Sequence, residues 1–158
     1  MSSGEQAAHN HCFAFEADFI SDLRCIPMAV RRKLDLAGVK LKLVHWHGLS
    51  AAEREHVLAW DDSPTAILEL RHWLLERTQN LPEGPAKPLE PAMGCDWQQA
   101  DQPPARLLEA CGQLGLSLLP NRWSQLSELQ RFALVKLSHP GHEHRNLPRA
   151  LAEFRAVL

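Results

Sequence analysis

The sequence lacks the patterns that most directly announce a chemistry. Its four cysteines, Cys12, Cys25, Cys95 and Cys111, form no C-x-x-C pair, which argues against a zinc knuckle or a redox dithiol and is consistent with reduced thiols. No G-x-S-x-G elbow marks a serine nucleophile. The eight glycines are scattered singly, so neither G-x-x-x-x-G-K nor G-x-G-x-x-G is present to cradle a phosphate. No excess of positive charge exists either: 17 Lys and Arg against 19 Asp and Glu leave a net charge of −2, a poor field for a nucleic-acid binder. No apolar run approaches the roughly 18 to 20 residues of a membrane helix. Met1 to Cys12, M-S-S-G-E-Q-A-A-H-N-H-C, has no basic start followed by an apolar stretch, as a secretory signal would. These absences predict a cytoplasmic protein with no membrane or nucleic-acid partner, no cofactor, and no enzymatic activity.

What is present suffices for a folded domain. With 45% apolar and 23% charged residues over 158 positions, the chain has the composition of a single domain with a real core. Its organisation comes from internal similarity. Residues 27–60 align without a gap on 104–137, with identities at Pro27/Pro104, Gly38/Gly115, Leu41/Leu118, Trp46/Trp123, Leu49/Leu126, Ser50/Ser127 and Arg54/Arg131. Pro64 to Leu74 then matches Pro148 to Leu158 at Pro, Ala, Glu, Arg and Leu.

Each copy spells out one unit. A helix begins near the proline and ends in a left-handed cap at the glycine. Val39, Leu41 and Leu43 then alternate with Lys40 and Lys42 as a short strand, with a shorter counterpart over Leu116 to Leu119. Ser50 with Glu53, and Ser127 with Gln130, are capping boxes that open a second helix. Third helices follow at about 64–77 and 148–158. The prediction is a mainly α single domain: an arm over 1–20, one unit over 21–77, a proline-rich connector over 78–103 and a second unit over 104–158. The two helix–strand–helix–helix units would pack about an approximate two-fold axis, their strands near Leu41 and Leu118 pairing as a ribbon and Trp46 and Trp123 buried alike. The connector holds Pro82, Pro85, Pro88, Pro91 and Pro103, so it is no ordinary helix. It is either a wrapped surface segment or a partner-contacting one.

Two groups of side chains are candidates for function. His139, His142 and His144, with Glu143 between them, could converge on a transition metal, although the spacing is not that of a helical signature. His45 and His47 flank Trp46 on what would be one side of an extended segment, too few for a site. Arg31, Arg32, Lys33, Lys40 and Lys42 form the most basic segment, either a solvated helix and strand face or a docking face for an acidic partner. Their counterparts in the second copy, Leu108, Glu109, Ala110, Ser117 and Leu119, are not basic. Phe132 replaces His/Glu-type polarity on the helix after Ser127, which is then either central to the core or an apolar contact strip.

Four strings together resemble one family: F-A-F-E-A-D-F (Phe13 to Phe19), L-R-C-I-P-M-A-V-R-R-K-L-D (Leu23 to Asp35), G-V-K-L-K-L-V-H-W (Gly38 to Trp46) and L-Q-R-F-A-L-V-K-L-S-H-P-G-H-E (Leu129 to Glu143). They are similar to the nitrate reductase-associated proteins, small bacterial proteins best recognised in cyanobacteria. The resemblance implies an accessory role in nitrate assimilation, with nitrate reductase or its assembly machinery as partner. It brings no catalytic residues. Its matched polar positions, Arg24, Arg31, Lys33, Asp35, Arg131, Lys136, His142, Glu143 and Asn146, become contact or structural candidates. A metal-handling protein built on His139, His142 and His144, or a small-molecule sensor, are the alternatives.

Overall fold

A computed structural model describes residues 8–139 and 145–158. Among them the protein is mainly helical, with one two-stranded antiparallel sheet. The chain divides into two compact units, 1–93 and 94–158. The boundary falls inside the proline-rich connector, whose first part belongs to the first unit.

The first unit contains α1 (Ala17–Ile20), α2 (Met28–Ala37), β1 (Val39–Lys40), α3 (Leu43–His47), α4 (Ala51–Ala59), α5 (Pro64–Arg77) and β2 (Lys87–Pro88). Helix α2 packs against α5 and α4. The apolar stripe of α2, with Val30, Leu34 and Ala37, meets Leu70 and Leu74 of α5 in a core that also holds Trp46. The second unit contains α6 (Ala105–Gln113), α7 (Arg122–Gln125), α8 (Glu128–Leu137) and α9 (Asn146–Glu153), with α8 packed against α6, α9 and the turn Asp96–Gln98. Phe132 of α8 is fully buried and meets Trp97 edge to face, ring centroids 5.0 Å apart. It is therefore core, and no contact strip is available there.

Some of the aligned residues have similar local geometry in each unit taken separately, whereas others differ: Leu41 is buried and Leu118 only half-buried, Arg131 is buried and Arg54 half-buried. Pro27 and Pro104 are the N-caps of α2 and α6, one residue outside the helix. Gly38 and Gly115 are left-handed, both at φ +71°. The hydroxyls of Ser50 and Ser127 each accept an N–H at 3.1 Å, from Glu53 and Gln130, whose side chains return the bond to the serine N–H. The buried indoles of Trp46 and Trp123 donate Nε1–H to Leu23 O (2.7 Å) and Gln99 O (2.9 Å). The expected helix over 148–158 instead runs from Asn146 to Glu153 and is closed by Arg155 at φ +54°.

The ribbon differs from expectation. Strand β1 stops at Lys40, because Leu43 already opens α3, and it pairs with β2 of the connector: Val39 opposite Pro88 and Lys40 opposite Lys87. Residues Leu116 to Leu119 form no strand. The connector supplies the missing partner because it runs as a strap over the ends of α5 and α2. Ala86 N–H donates to Thr78 Oγ1 (3.0 Å), Leu89 N–H to Gly38 O (2.7 Å) and Ala92 N–H to Asp35 O (2.8 Å). Each donor directly follows a proline, Pro85, Pro88 or Pro91. A spacing of three equals the repeat of an extended polyproline turn and brings these donors to one side.

Gly38 is where strap and helix meet. A Cβ there would lie 2.4 Å from Leu89 O, 2.6 Å from Arg71 Nη1 and 2.9 Å from Pro91 N, whereas a Cβ on Gly115 would meet nothing within 4 Å. Both positions impose the left-handed penalty of roughly 1–2 kcal/mol on a side chain. Gly115→Ala should therefore cost about that much in a denaturant titration. Gly38→Ala should cost clearly more, since the strap must also be displaced; equal losses would show that the close approach has no energetic weight.

Candidate functional site

The basic segment does not stay together on the surface. Arg32 is 8% exposed and pairs with Asp62, Nη1 to Oδ2 3.1 Å. Lys33 is completely buried, and its Nζ donates to Leu58 O at 2.5 Å. The reason is periodicity: Ala29, Lys33 and Ala37 follow one another at a spacing of four, on the stripe with buried Val30 and Leu34. The aliphatic stem of Lys33 thus fills core, and its amine reaches one of the carbonyls left open at the C-terminal turn of α4. Arg31 is exposed, with Nε–H donated to Ile26 O at 3.1 Å.

Lys40 and Lys42 do face solvent, and the ribbon adds Lys87, a residue that sequence separation hid. Among the described residues the three ammonium groups have neither ion pair nor hydrogen bond. Lys40 and Lys87 are like charges directly opposite one another, an arrangement that disfavours the isolated strand pair. Next to them in sequence are Leu43, Val44 and Leu89, all 45–49% exposed. Exposed Arg31, Lys40 and Lys42, with Lys87 set opposite Lys40, are what remains of the predicted docking segment, without Arg32, Lys33 or Phe132.

Histidines divide into two groups. His139 is exposed just beyond α8, while His142 and His144 lie outside the described residues, so the three are not placed together. Among the described residues no three His, Cys, Asp or Glu side chains are grouped to hold a metal. His45 and His47 lie on α3 and not on an extended segment. His45 accepts Lys42 N–H on Nδ1 (3.0 Å), which puts its proton on Nε2 for Gly84 O (3.0 Å). His47 Nε2 lies 2.7 Å from Arg24 O. Both serve the backbone.

Two of the thiols are held away from the thiolate. Cys111 is buried and Cys12 half-buried, and burial raises both thiol pKa values; the Glu16 carboxylate adds to the rise at Cys12, against the opposing charge of Lys33. Cys25 and Cys95 are half-buried.

The residue that sequence reasoning missed is Glu16. Its carboxylate is fully buried and accepts Phe13 N–H on Oε2 and Met28 N–H on Oε1, both at 3.0 Å. Pro27, the N-cap of α2, has no side-chain oxygen to offer the first free N–H groups of that helix. A carboxylate from twelve residues upstream takes the role, favoured by the helix dipole. No local pattern signals this, because the capping acid and the capped helix belong to different elements.

Comparison with known proteins gives a family match. The model of the conserved nitrate reductase-associated protein family aligns with residues 12–154. No curated protein and no solved structure matches the chain.

Lys33 makes a measurable prediction. Burial lowers its pKa from 10.5 to about 8, with Asp62 opposing the shift, Arg32 adding to it, and Asp61 and Cys12 opposing it. Because the folded value lies below the unfolded one, the unfolded chain binds more protons between about pH 8 and 10.5. Stability from this group therefore rises with pH across that window and is flat outside it. The denaturation midpoint of the wild type should gain on that of Lys33→Met as pH increases from 8 to 10.5; parallel pH profiles would mean that Lys33 is not titrating in the folded core.

Proposed function

The chain belongs to the conserved nitrate reductase-associated protein family, and from that premise we propose that it is a non-catalytic accessory protein of assimilatory nitrate reductase. It acts in the assembly, maturation or activity of the enzyme through protein–protein contacts in the cytoplasm. Family membership over residues 12–154 carries this reading. The fold supports it with the Lys40, Lys42 and Lys87 face, bordered by exposed Leu43, Val44 and Leu89. Three unneutralised cations raise the association rate of an acidic partner surface, and the apolar border gives the encounter something to bury.

Affinity purification of the tagged protein from nitrate-grown cells should recover nitrate reductase or a factor that assembles it. Capture should weaken with salt and fall at least several-fold for the triple variant Lys40→Glu, Lys42→Glu, Lys87→Glu. The variant should keep its melting temperature within a few degrees, since exposed substitutions typically cost under about 0.5 kcal/mol each. Failure to recover the reductase from any wild-type preparation overturns the proposed role. Recovery that the triple variant leaves intact keeps the role and removes this face from it.

A further inference from the structure

Arg71 offers half of a binding site. Its Nη1 donates to Ala37 O (2.9 Å), Gly38 O (2.8 Å) and Leu89 O (3.0 Å), which fixes the guanidinium plane between the end of α2 and the strap. A guanidinium carries five N–H donors in a planar fork. The Nε–H and its neighbouring Nη2–H run parallel along the edge away from Nη1, and among the described residues neither has an acceptor. That edge matches the two oxygens of a carboxylate.

The same residue lines a cavity of about 500 Å³ whose other walls include Leu36, Ile67, Leu68, Ala92 and Met93, a size within the range of small-molecule sites. Asp62 also lines it, but its charge is held by Arg32 at 3.1 Å. Two large apolar side chains on the lining stand in water, Leu68 at 57% and Met93 at 89% exposure, as a site waiting for an apolar ligand would leave them.

We propose that this cavity is a receptor for a small monocarboxylate with an apolar body, the carboxylate on the free edge of Arg71 and the body against Leu68, Ile67 and Met93. The inference is independent of the partnership with nitrate reductase. A phosphate dianion fits less well, because apolar walls penalise a second charge. Nitrate presents the same planar pair of oxygens but leaves the apolar volume empty. The arginine is already immobilised by three carbonyls, so a ligand need not order it, which lowers the cost of binding.

Titration calorimetry of the full chain with octanoate, octanol, sodium nitrate and acetyl-Leu-Leu tests this. Octanoate should bind at least about ten-fold more tightly than octanol, which lacks the charge, and than nitrate, which lacks the body, each ten-fold corresponding to 1.4 kcal/mol. Arg71→Lys should lose that preference for octanoate over octanol. Because Arg71 also holds the turn, Leu68→Trp provides a second variant: an exposed position on α5, filled without disturbing the carbonyl cage. It should weaken octanoate at least about ten-fold at an unchanged melting temperature of the free protein. Octanoate binding no tighter than octanol or nitrate, or undiminished in Leu68→Trp, overturns the proposal. Tighter binding of acetyl-Leu-Leu than of octanoate also overturns it, assigning the cavity to the carboxyl end of a polypeptide.

Discussion

Guanidinium-to-carbonyl hydrogen bonds are what this fold depends on. Among the described residues no helix exceeds the fourteen residues of α5, and several have four or five. Every helix end leaves up to four backbone carbonyls without an internal partner, so a chain of many short helices has many to satisfy. Arginines reach them from a distance. Arg71 takes the carbonyls of Ala37 and Gly38 at the end of α2, Arg54 those of Trp46 and His47, Arg77 that of Gly48, and Arg122 that of Phe154 beyond α9. Arg131, buried in the second unit, takes Leu126 O and Trp97 O. Five donors on a rigid plane suit this task as a single ammonium would not.

Arg77 also forms a two-bond clasp with Glu53, at 2.7 and 3.0 Å, which holds that carboxyl down at a pKa of about 2. One acid thereby closes the capping box of α4 and anchors α5 to it. Lys33 and Glu16 extend the same logic to two further helix ends, the amine at the last turn of α4 and the carboxylate at the first turn of α2. These two buried charges therefore sit where a helix dipole ends, whereas buried Arg32 pairs with Asp62.

Much of this was legible in the residues, and what was not has physical causes. Helix ends at Gly38 and Gly115, capping boxes at Ser50 and Ser127, and the paired tryptophans follow from local chemistry that needs no partner. The family too is legible in the sequence, since four strings resemble it and its model matches residues 12–154. Lys33 reads as a surface cation by its charge, whereas its position, four residues from both Ala29 and Ala37, lies on the buried stripe. The ribbon was paired wrongly because strand partners are chosen by tertiary geometry. Still, prolines at 85, 88 and 91 carried a three-residue rhythm that separates a laid-down strap from a loose loop. The candidate site was less legible: Lys87 joins Lys40 across 47 positions of sequence, and the free edge of Arg71 is visible only once its other nitrogen is accounted for.

The aromatic inventory has an optical consequence. The chain has no tyrosine and five tryptophans, so its near-ultraviolet emission is tryptophan emission alone. Trp46, Trp60 and Trp73 belong to the first unit, Trp97 and Trp123 to the second. Trp46, Trp97 and Trp123 are buried and should emit to the blue, whereas half-buried Trp60 and Trp73 stand 5.8 Å apart beside His56, whose ring lies 4.9 Å from Trp60. The redder emission of Trp60 and Trp73 thus reports on the first unit alone, without an attached label, whereas the blue emission combines Trp46 with Trp97 and Trp123 of the second.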